Sequence, residues 1–210
     1  MEENQYIVIA IDHGRTMASR LNNLSKTDIA VNSASLLAYV AAYFSDKISL
    51  VTFTDEITSY LPPGKGKNQA KLVMKTLSAI EPVMVESDYK KVCSFINSQT
   101  TRRALVIFFT DIIDPDSSKQ LISSLGMLKN RHRVLCISLS DYEIEDIMRN
   151  YPKNPDSLYE LTVATILQRD RIEALKKLKS LNIITLDAKP SDLSIKAVNS
   201  YMRLKERGFS

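Results

Sequence analysis

The sequence predicts an α/β fold of three layers, in which a doubly wound, mostly parallel sheet is flanked by helices on both faces. Helical and strand patterns alternate along the whole chain, which is typical of parallel strands joined by helices. Two apolar runs, Ile7–Ile11 and Ala104–Phe109, are each followed closely by an aspartate, Asp12 and Asp111. Continuous apolar runs of this length indicate strands buried on both faces. We therefore expect these two strands near the middle of the sheet.

The composition is that of a globular protein, and we expect a single domain over residues 1–210. Hydrophobic residues make up 44% of the chain and charged residues 25%, and the net charge of +4 is too small to indicate nucleic-acid binding. The longest nearly apolar stretch, Ala34–Phe44, is too short to cross a bilayer, and the acidic start is not a secretory signal. Cys93 and Cys136 lack metal-ligand spacing and indicate buried free thiols in a reducing compartment.

In the first half of the chain, Ser25 and Thr27 offer caps for a helix over about 28–44. The second strand, Lys47–Phe53, leads through a tight turn into a short strand, Ile57–Leu61, which is expected to run antiparallel at an edge of the sheet. The proline- and glycine-rich segment that follows is predicted to be an exposed loop without ladder pairing. The segments predicted here are that loop at 62–67 and two helices over about 70–80 and 88–97.

The second half continues the alternation after the Ala104–Phe109 strand. A capping box, Ser140-Asp141-Tyr142-Glu143, marks the start of a helix. The long helix after it has Ile172, Leu175 and Leu178 as its core stripe, and its basic residues, Arg171 among them, are assigned to the solvated face. The elements predicted here are helices over about 117–129, 142–149, 157–181 and 191–207, and strands at 133–139 and 183–186.

Oxygen-bearing side chains follow the two central strands. Asp12 and Thr16 lie after the first, Asp111 lies after the second, and Ser87 opens a helix that could face the same edge. Carboxyl ends of adjacent parallel strands meet at one edge of a sheet, where such folds bind their ligands. Carboxylates, hydroxyls and water are ligands that suit Mg²⁺ or Mn²⁺. The pattern is therefore a candidate metal site, and the alternative is that these residues only end strands and satisfy loop backbone.

Five short stretches of the sequence occur in the order and at the spacing of a set of motifs known from one protein family. The resemblance that these stretches carry covers essentially the whole chain. Their pattern resembles the von Willebrand factor A domain, which has Asp-x-Ser-x-Ser after its first strand, a Thr in a middle loop and an Asp after a later strand. The chain is most similar to a bacterial branch named domain of unknown function fifty-eight, associated with MoxR-type AAA+ ATPases. The stretches are Ile11–Met17, Leu50–Phe53, Glu86–Tyr89, Phe109–Asp111 and Arg131–Leu135.

This resemblance implies a metal-ion-dependent adhesion site that binds Mg²⁺ or Mn²⁺ through Asp12, Thr16, Ser87 and Asp111. Gly14 stands where the motif has its first Ser, so one hydroxyl ligand is missing. Weak binding is expected, because Mg²⁺ keeps waters where protein ligands are lacking. Restoring the hydroxyl with Gly14→Ser is expected to tighten it.

The resemblance also implies a non-enzymatic module that binds a protein partner, either a MoxR-type ATPase or a client of that ATPase. The partner's acidic side chain would complete the metal's coordination, supported by Arg15 with Gly14 and Asp88 nearby. We call the loops at 13–26, 83–88 and 110–118 the carboxyl edge. Members of this branch usually carry an amino-terminal membrane anchor, which is absent from this sequence, and a cytoplasmic location is expected.

Two other functions stay open at this stage. A phosphatase of the haloacid dehalogenase type would use Asp12 as nucleophile with Thr110 after a later strand, but that class needs a second Asp where Gly14 stands. A metal-free scaffold with a vestigial site is the other alternative. His13 is expected to be exposed in its loop, and neither His13 nor His132 is assigned a catalytic role.

Overall fold

The computed structural model describes residues 4–21, 23–112, 115–139, 142–150, 152 and 154–208. The predicted capping-box residues Ser140 and Asp141, and Asn22, Ile113 and Asp114 of the carboxyl edge, lie outside these ranges. The strands are β1 (Tyr6–Asp12), β2 (Arg20–Leu21), β3 (Leu24–Ser25), β4 (Lys47–Phe53), β5 (Ile57–Lys65), β6 (Leu105–Phe109), β7 (Arg133–Leu139) and β8 (Ile184–Ala188). The helices are α1 (Lys26–Tyr43), α2 (Gly66–Leu77), α3 (Tyr89–Gln99), α4 (Pro115–Leu128), α5 (Tyr142–Arg149), α6 (Pro155–Ser180) and α7 (Leu193–Glu206).

The main sheet has six strands in the order β5-β4-β1-β6-β7-β8. All neighbouring pairs are parallel except β4 with β5, which is antiparallel and lies at one edge. The predicted mostly parallel sheet is therefore confirmed, and so are the central, adjacent positions of β1 and β6. Because β1 and β6 pair in register from Ile7 with Leu105, their carboxyl ends lie side by side.

Two apolar layers cover the sheet, one on each face. Ile7, Ile9 and Ile11 of β1 pack on the side of α1, α2 and α7, whereas Val8 and Ala10 pack on the side of α3, α4 and α6. This alternation along a single strand is what burial on both faces requires. Among the described helices, none combines the length and apolar character that crossing a membrane would need.

The proline-rich segment after Leu61 is not the unpaired loop that the sequence predicts. Strand β5 continues through it, with Gly64 opposite Ile48 and Lys65 opposite Lys47. An irregularity in the register between Ile48 and Leu50 accommodates the two prolines. The prediction was wrong because β5 is an edge strand, and an edge strand tolerates residues that have no N–H to donate.

A buried ion pair connects the last helix, α7, to the turn before β4. This turn lies at the end of the sheet opposite the carboxyl edge. Asp46, in the turn between α1 and β4, accepts a hydrogen bond from the Tyr201 hydroxyl at 2.5 Å and forms a salt bridge with Lys205 Nζ at 2.6 Å. The backbone N–H of Gln5 also donates to this carboxylate, at 3.1 Å. Asp46 and Lys205 are both almost completely buried. Helix α7 is thus joined by charge as well as by packing to the start of β1 and β4.

Candidate functional site

The Asp12 carboxylate lies at the carboxyl end of β1, is fully buried, and is surrounded by uncharged donors. Its Oδ1 accepts from the Gly14 backbone N–H at 2.9 Å and from Ser87 Oγ at 2.6 Å. Its Oδ2 accepts from Thr110 Oγ1 at 2.6 Å and from the Tyr89 hydroxyl at 3.2 Å. Burial raises the pKa of Asp12, and these four hydrogen bonds act against that rise. The predicted approach of Ser87 to Asp12 is therefore present, as a direct hydrogen bond.

Thr16 is buried in a single 3₁₀ turn, Arg15–Met17, just beyond Asp12. Within the described part of the chain, its Oγ1 has no hydrogen-bond partner. Tyr89, at the start of α3, packs edge-on against Phe53, and its hydroxyl also reaches the Asp12 carboxylate. Sequence reasoning gave no signal for this second role, because it depends on where α3 is placed.

Asp111 lies in a different electrostatic environment from Asp12, between two cations. Lys26 Nζ is 2.5 Å from its Oδ2, and Arg171 Nη1 is 2.8 Å from its Oδ1. All three side chains are nearly or completely buried. Burial alone would raise the pKa of Asp111, but the charges of Arg171 and Lys26 and their hydrogen bonds hold it below its ordinary value. Asp111 is therefore a carboxylate whose charge the chain already compensates.

Arg171 joins the carboxyl ends of three strands. Besides Asp111, its guanidinium donates to the Leu139 carbonyl at 2.6 Å and forms a salt bridge with Asp187 at 2.7 Å. Burial acts to lower the pKa of Arg171, and the two carboxylates outweigh burial and raise it. Its assignment to a solvated face was wrong. Arg171 shares the buried side of α6 with Ala174 and Leu178, whereas the predicted core residue Ile172 is 42% exposed.

The remaining sequence-predicted residues, Arg15, Asp88 and Gly14, are exposed, half-buried and buried, respectively. Arg15 is exposed and pairs with Glu86, their Nε and Oε1 atoms 2.5 Å apart. Asp88 caps α3 by accepting from the backbone N–H of Lys91 at 2.8 Å. Gly14 is buried, so it offers a partner little surface.

His13 was expected to be exposed and is instead buried. Its ring nitrogens lie 2.8 Å from the Glu81 carbonyl and 2.8 Å from Thr58 Oγ1. The expectation failed because Glu81, in the loop after α2, and Thr58, near the start of strand β5, both contact the ring of His13 at the end of β1. His13 therefore helps to fix the carboxyl edge without facing solvent.

The segment Val83-Met84-Val85 of the carboxyl edge presents apolar side chains to solvent. Their exposed fractions are 42%, 73% and 37%. The segment is nevertheless fixed in place: the backbone N–H of Val83 donates to the His13 carbonyl, and that of Arg15 donates to the Val85 carbonyl, both at 2.8 Å. The segment is an ordered apolar surface beside the Asp12 carboxylate and the four groups that donate to it.

The residues at this edge fit a divalent cation poorly. Asp111 is the predicted ligand from β6, and both of its oxygens are already engaged by Lys26 and Arg171. A dication there would lie against two fixed positive charges. Within the described ranges, no group of three or more His, Cys, Asp or Glu side chains is arranged to hold a metal. Magnesium or manganese binding stays a prediction.

Comparison with known proteins identifies the fold of the chain. The sequence matches the family described as "Protein of unknown function DUF58" over residues 1–151. No curated protein matches it.

Three solved structures show the same fold at low sequence identity. The conserved hypothetical protein BatB from Bacteroides thetaiotaomicron is 14% identical, with 98% of this chain and 100% of that chain covered and a TM-score of 0.65. An aerotolerance-related membrane protein from Bacteroides fragilis is 13% identical, with coverage of 95% and 99% and a TM-score of 0.60. The vWF domain of the type V pili tip protein Mfa5 from Porphyromonas gingivalis is 10% identical, with coverage of 100% and 97% and a TM-score of 0.60. The fold is that of a von Willebrand factor A domain.

Proposed function

This chain belongs to the DUF58 family, and from that premise we propose that it is a protein-interaction module whose docking surface is the carboxyl edge of its sheet. The observation that carries the proposal is the ordered, exposed apolar segment Val83-Met84-Val85. Adjacent exposed apolar side chains on a protein surface mark interaction sites. Binding and catalytic residues are also disproportionately found on loops held by a rigid scaffold.

The way this segment is held favours binding. Backbone hydrogen bonds to the β1 loop fix it at both Val83 and Val85. A partner that covers Met84 would therefore bury apolar surface without first having to order the loop. Pre-ordering of this kind lowers the entropic cost of binding.

Arg15 gives this surface a charge that a partner could use. Its ion pair with Glu86 is solvent-exposed, with side-chain exposures of 47% and 58%. Exposed pairs of this kind contribute only about 0–1 kcal/mol, so a partner's carboxylate can replace Glu86 at low cost. An arginine–carboxylate contact then adds a directional, charge-assisted hydrogen bond. We therefore propose an acidic side chain in the partner's contact surface.

The partner we propose is a MoxR-type AAA+ ATPase or a client of it, as the family resemblance implies. A phosphatase of the haloacid dehalogenase type is less well supported. Its nucleophile would be Asp12, which is 0% exposed and whose two oxygens both accept hydrogen bonds from neighbouring groups. A nucleophile must be within reach of its substrate.

The direct test is capture of this chain by an immobilised MoxR-type ATPase from the same organism. Met84→Asp should weaken capture roughly tenfold or more, because a carboxylate cannot replace an apolar contact at the centre of an interface. Tyr43→Asp is the matched control, since Tyr43 is 78% exposed but lies at the far end of α1 from Lys26. Equal capture of both variants, or no capture of the wild-type chain, would contradict the proposal.

A further inference from the structure

The position of Lys26 is physically unfavourable unless its charge is used. Lys26 is the first residue of α1, directly after the N-cap Ser25, and only 2% of it is exposed. A helix N-terminus carries a partial positive charge that repels an ammonium group. Burying that ammonium away from water adds a further desolvation cost. A lysine at this place therefore requires a compensating anion.

Asp111 supplies that anion, and the contact joins two elements that are far apart in sequence. Lys26 Nζ donates to Asp111 Oδ2 at 2.5 Å, across 85 residues of chain. The other oxygen of Asp111 accepts from Arg171 Nη1 and from the Ile112 backbone N–H, both at 2.8 Å. The acid that follows β6 is therefore fully coordinated by groups of the protein itself.

The acid that follows β1 is also satisfied without a metal ion. Four uncharged donors surround Asp12, among them the hydroxyls of Ser87 and Thr110. Ser87 is one of the predicted metal ligands, and its proton is directed at Asp12. Of the four predicted ligands, Asp12, Ser87 and Asp111 are thus engaged by groups of the protein, whereas Thr16 Oγ1 has no partner within the described part of the chain.

We infer that the ammonium group of Lys26 is the resident cation of this edge, meaning a positive charge that belongs to the protein itself. It has the role that a bound divalent ion has in metal-dependent domains of this fold. The carboxyl edge then binds its ligand without Mg²⁺ or Mn²⁺. The contacts between Lys26 and Asp111 support the assignment of the cation. Ligand binding without a metal ion rests in addition on the proposed function.

The test is a manganese titration of the isolated full chain, followed by the loss of the free Mn²⁺ signal in electron paramagnetic resonance. The wild-type chain should bind no Mn²⁺ at millimolar concentration. Lys26→Ala removes the ammonium and leaves space beside Asp111, so this variant should gain one Mn²⁺ site and its Tm should rise by several degrees on adding Mn²⁺. Lys26→Met is the matched control: it removes the charge but fills the space, and Mn²⁺ should not raise its Tm.

Stoichiometric Mn²⁺ binding by the wild-type chain that disappears in Asp111→Ala would overturn the inference. A folded Lys26→Ala chain that gains no Mn²⁺ site would also overturn it. If that variant does not fold with or without Mn²⁺, the wild-type titration alone tests the inference: no Mn²⁺ binding supports it, and stoichiometric binding that depends on Asp111 overturns it. None of these measurements uses a partner protein. A failed capture experiment would therefore reject the proposed function and leave the resident cation standing, whereas capture abolished by a chelator would reject the resident cation alone.

Discussion

His132 is a buried histidine without a hydrogen-bond partner among the described residues. It is 2% exposed. Burial, with smaller effects from Arg131 and Arg103, lowers the pKa of His132 from 6.5 to about 4. The ring is therefore neutral in the folded protein over a range in which the unfolded chain is protonated.

We predict that this histidine causes stability to fall as the pH is lowered from about 6.5 to about 4. In that window the unfolded state binds more protons than the folded state, so protonation favours unfolding, by up to about 3 kcal/mol. His132→Leu should remove this component and flatten the pH dependence. Urea unfolding at a series of pH values checks it, with His13 unchanged in both proteins. Parallel stability curves for the two proteins would show that His132 is not the group responsible.

At the scale of residues, the sequence predicts the acids of the site and misses the cations. Asp12 and Asp111 are predictable because a polar residue directly after a buried strand lies at a known edge of the sheet. Lys26 and Arg171 are not predictable in the same way, since their roles depend on contacts 85 and 60 residues away. Arg171 left one signal, which is its place on the same helix face as Ala174 and Leu178.

At the scale of elements, the loop after β1 is fixed by close packing around Gly14. Its φ of −75° is accessible to any residue, so the glycine is not required by backbone conformation. The constraint is space: a Cβ added there would lie 2.2 Å from Ser87 Oγ and 2.7 Å from the Val85 carbonyl oxygen. Any side chain would have to displace the segment that Val85 belongs to. The expected benefit of Gly14→Ser for metal binding is thus opposed by sterics.

We predict that Gly14→Ala destabilises the protein by roughly 1–3 kcal/mol, the usual cost of overpacking, and weakens partner capture together with stability. Gly126→Ala is the matched control in α4, where a Cβ would meet Leu181 Cδ1 at an ordinary 3.6 Å. That change should raise stability by about 0.5–1 kcal/mol, because alanine is the better helix former. Thermal and urea unfolding measure both. A Gly14→Ala protein as stable as the wild type would mean that the loop can move without cost.

Elements with a strong pattern of their own were predictable, and elements governed by context were not. The apolar runs of β1, β4, β6 and β7 are short and rich in β-branched or aromatic residues, and this local pattern is enough to predict strands. Strand β5 continues through Pro62 and Pro63 only because it lies at the edge, and that position is a property of the sheet. The orientation of α6 was predicted only in part: Leu178 is buried as expected, whereas the exposure of Ile172 and the burial of Arg171 depend on contacts with other elements.

At the scale of the whole molecule, buried charges connect the two ends of the chain. We predict that Lys205→Met destabilises the protein by about 3–5 kcal/mol, because it leaves the Asp46 carboxylate buried and uncompensated. Lys196→Met is the control, since Lys196 forms an exposed pair with Asp192 at 3.2 Å and its loss should cost less than about 0.5 kcal/mol. Urea unfolding gives both values.

A second variant separates charge from packing in this prediction. Asp46→Asn combined with Lys205→Met removes both charges and should recover most of the stability that the single change loses. If the double variant is as unstable as Lys205→Met alone, the apolar contacts of the lysine stem, and not its charge, hold α7 in place.

The buried ion pairs of Asp46 and Asp111 also limit how segments of this chain can be exchanged with those of its relatives. The family match ends at residue 151, yet Arg171 and Lys205, both beyond it, neutralise Asp111 and Asp46 within it. A chimera that joined residues 1–151 to a foreign carboxyl-terminal segment would leave Asp46 buried without Lys205, and would leave Asp111 with Lys26 as its one remaining cation among these residues. We expect such a chimera to be stable when the new segment brings a positive charge to Asp46 and a second donor to Asp111, so the exchangeable unit is larger than the stretch of sequence that matches the family.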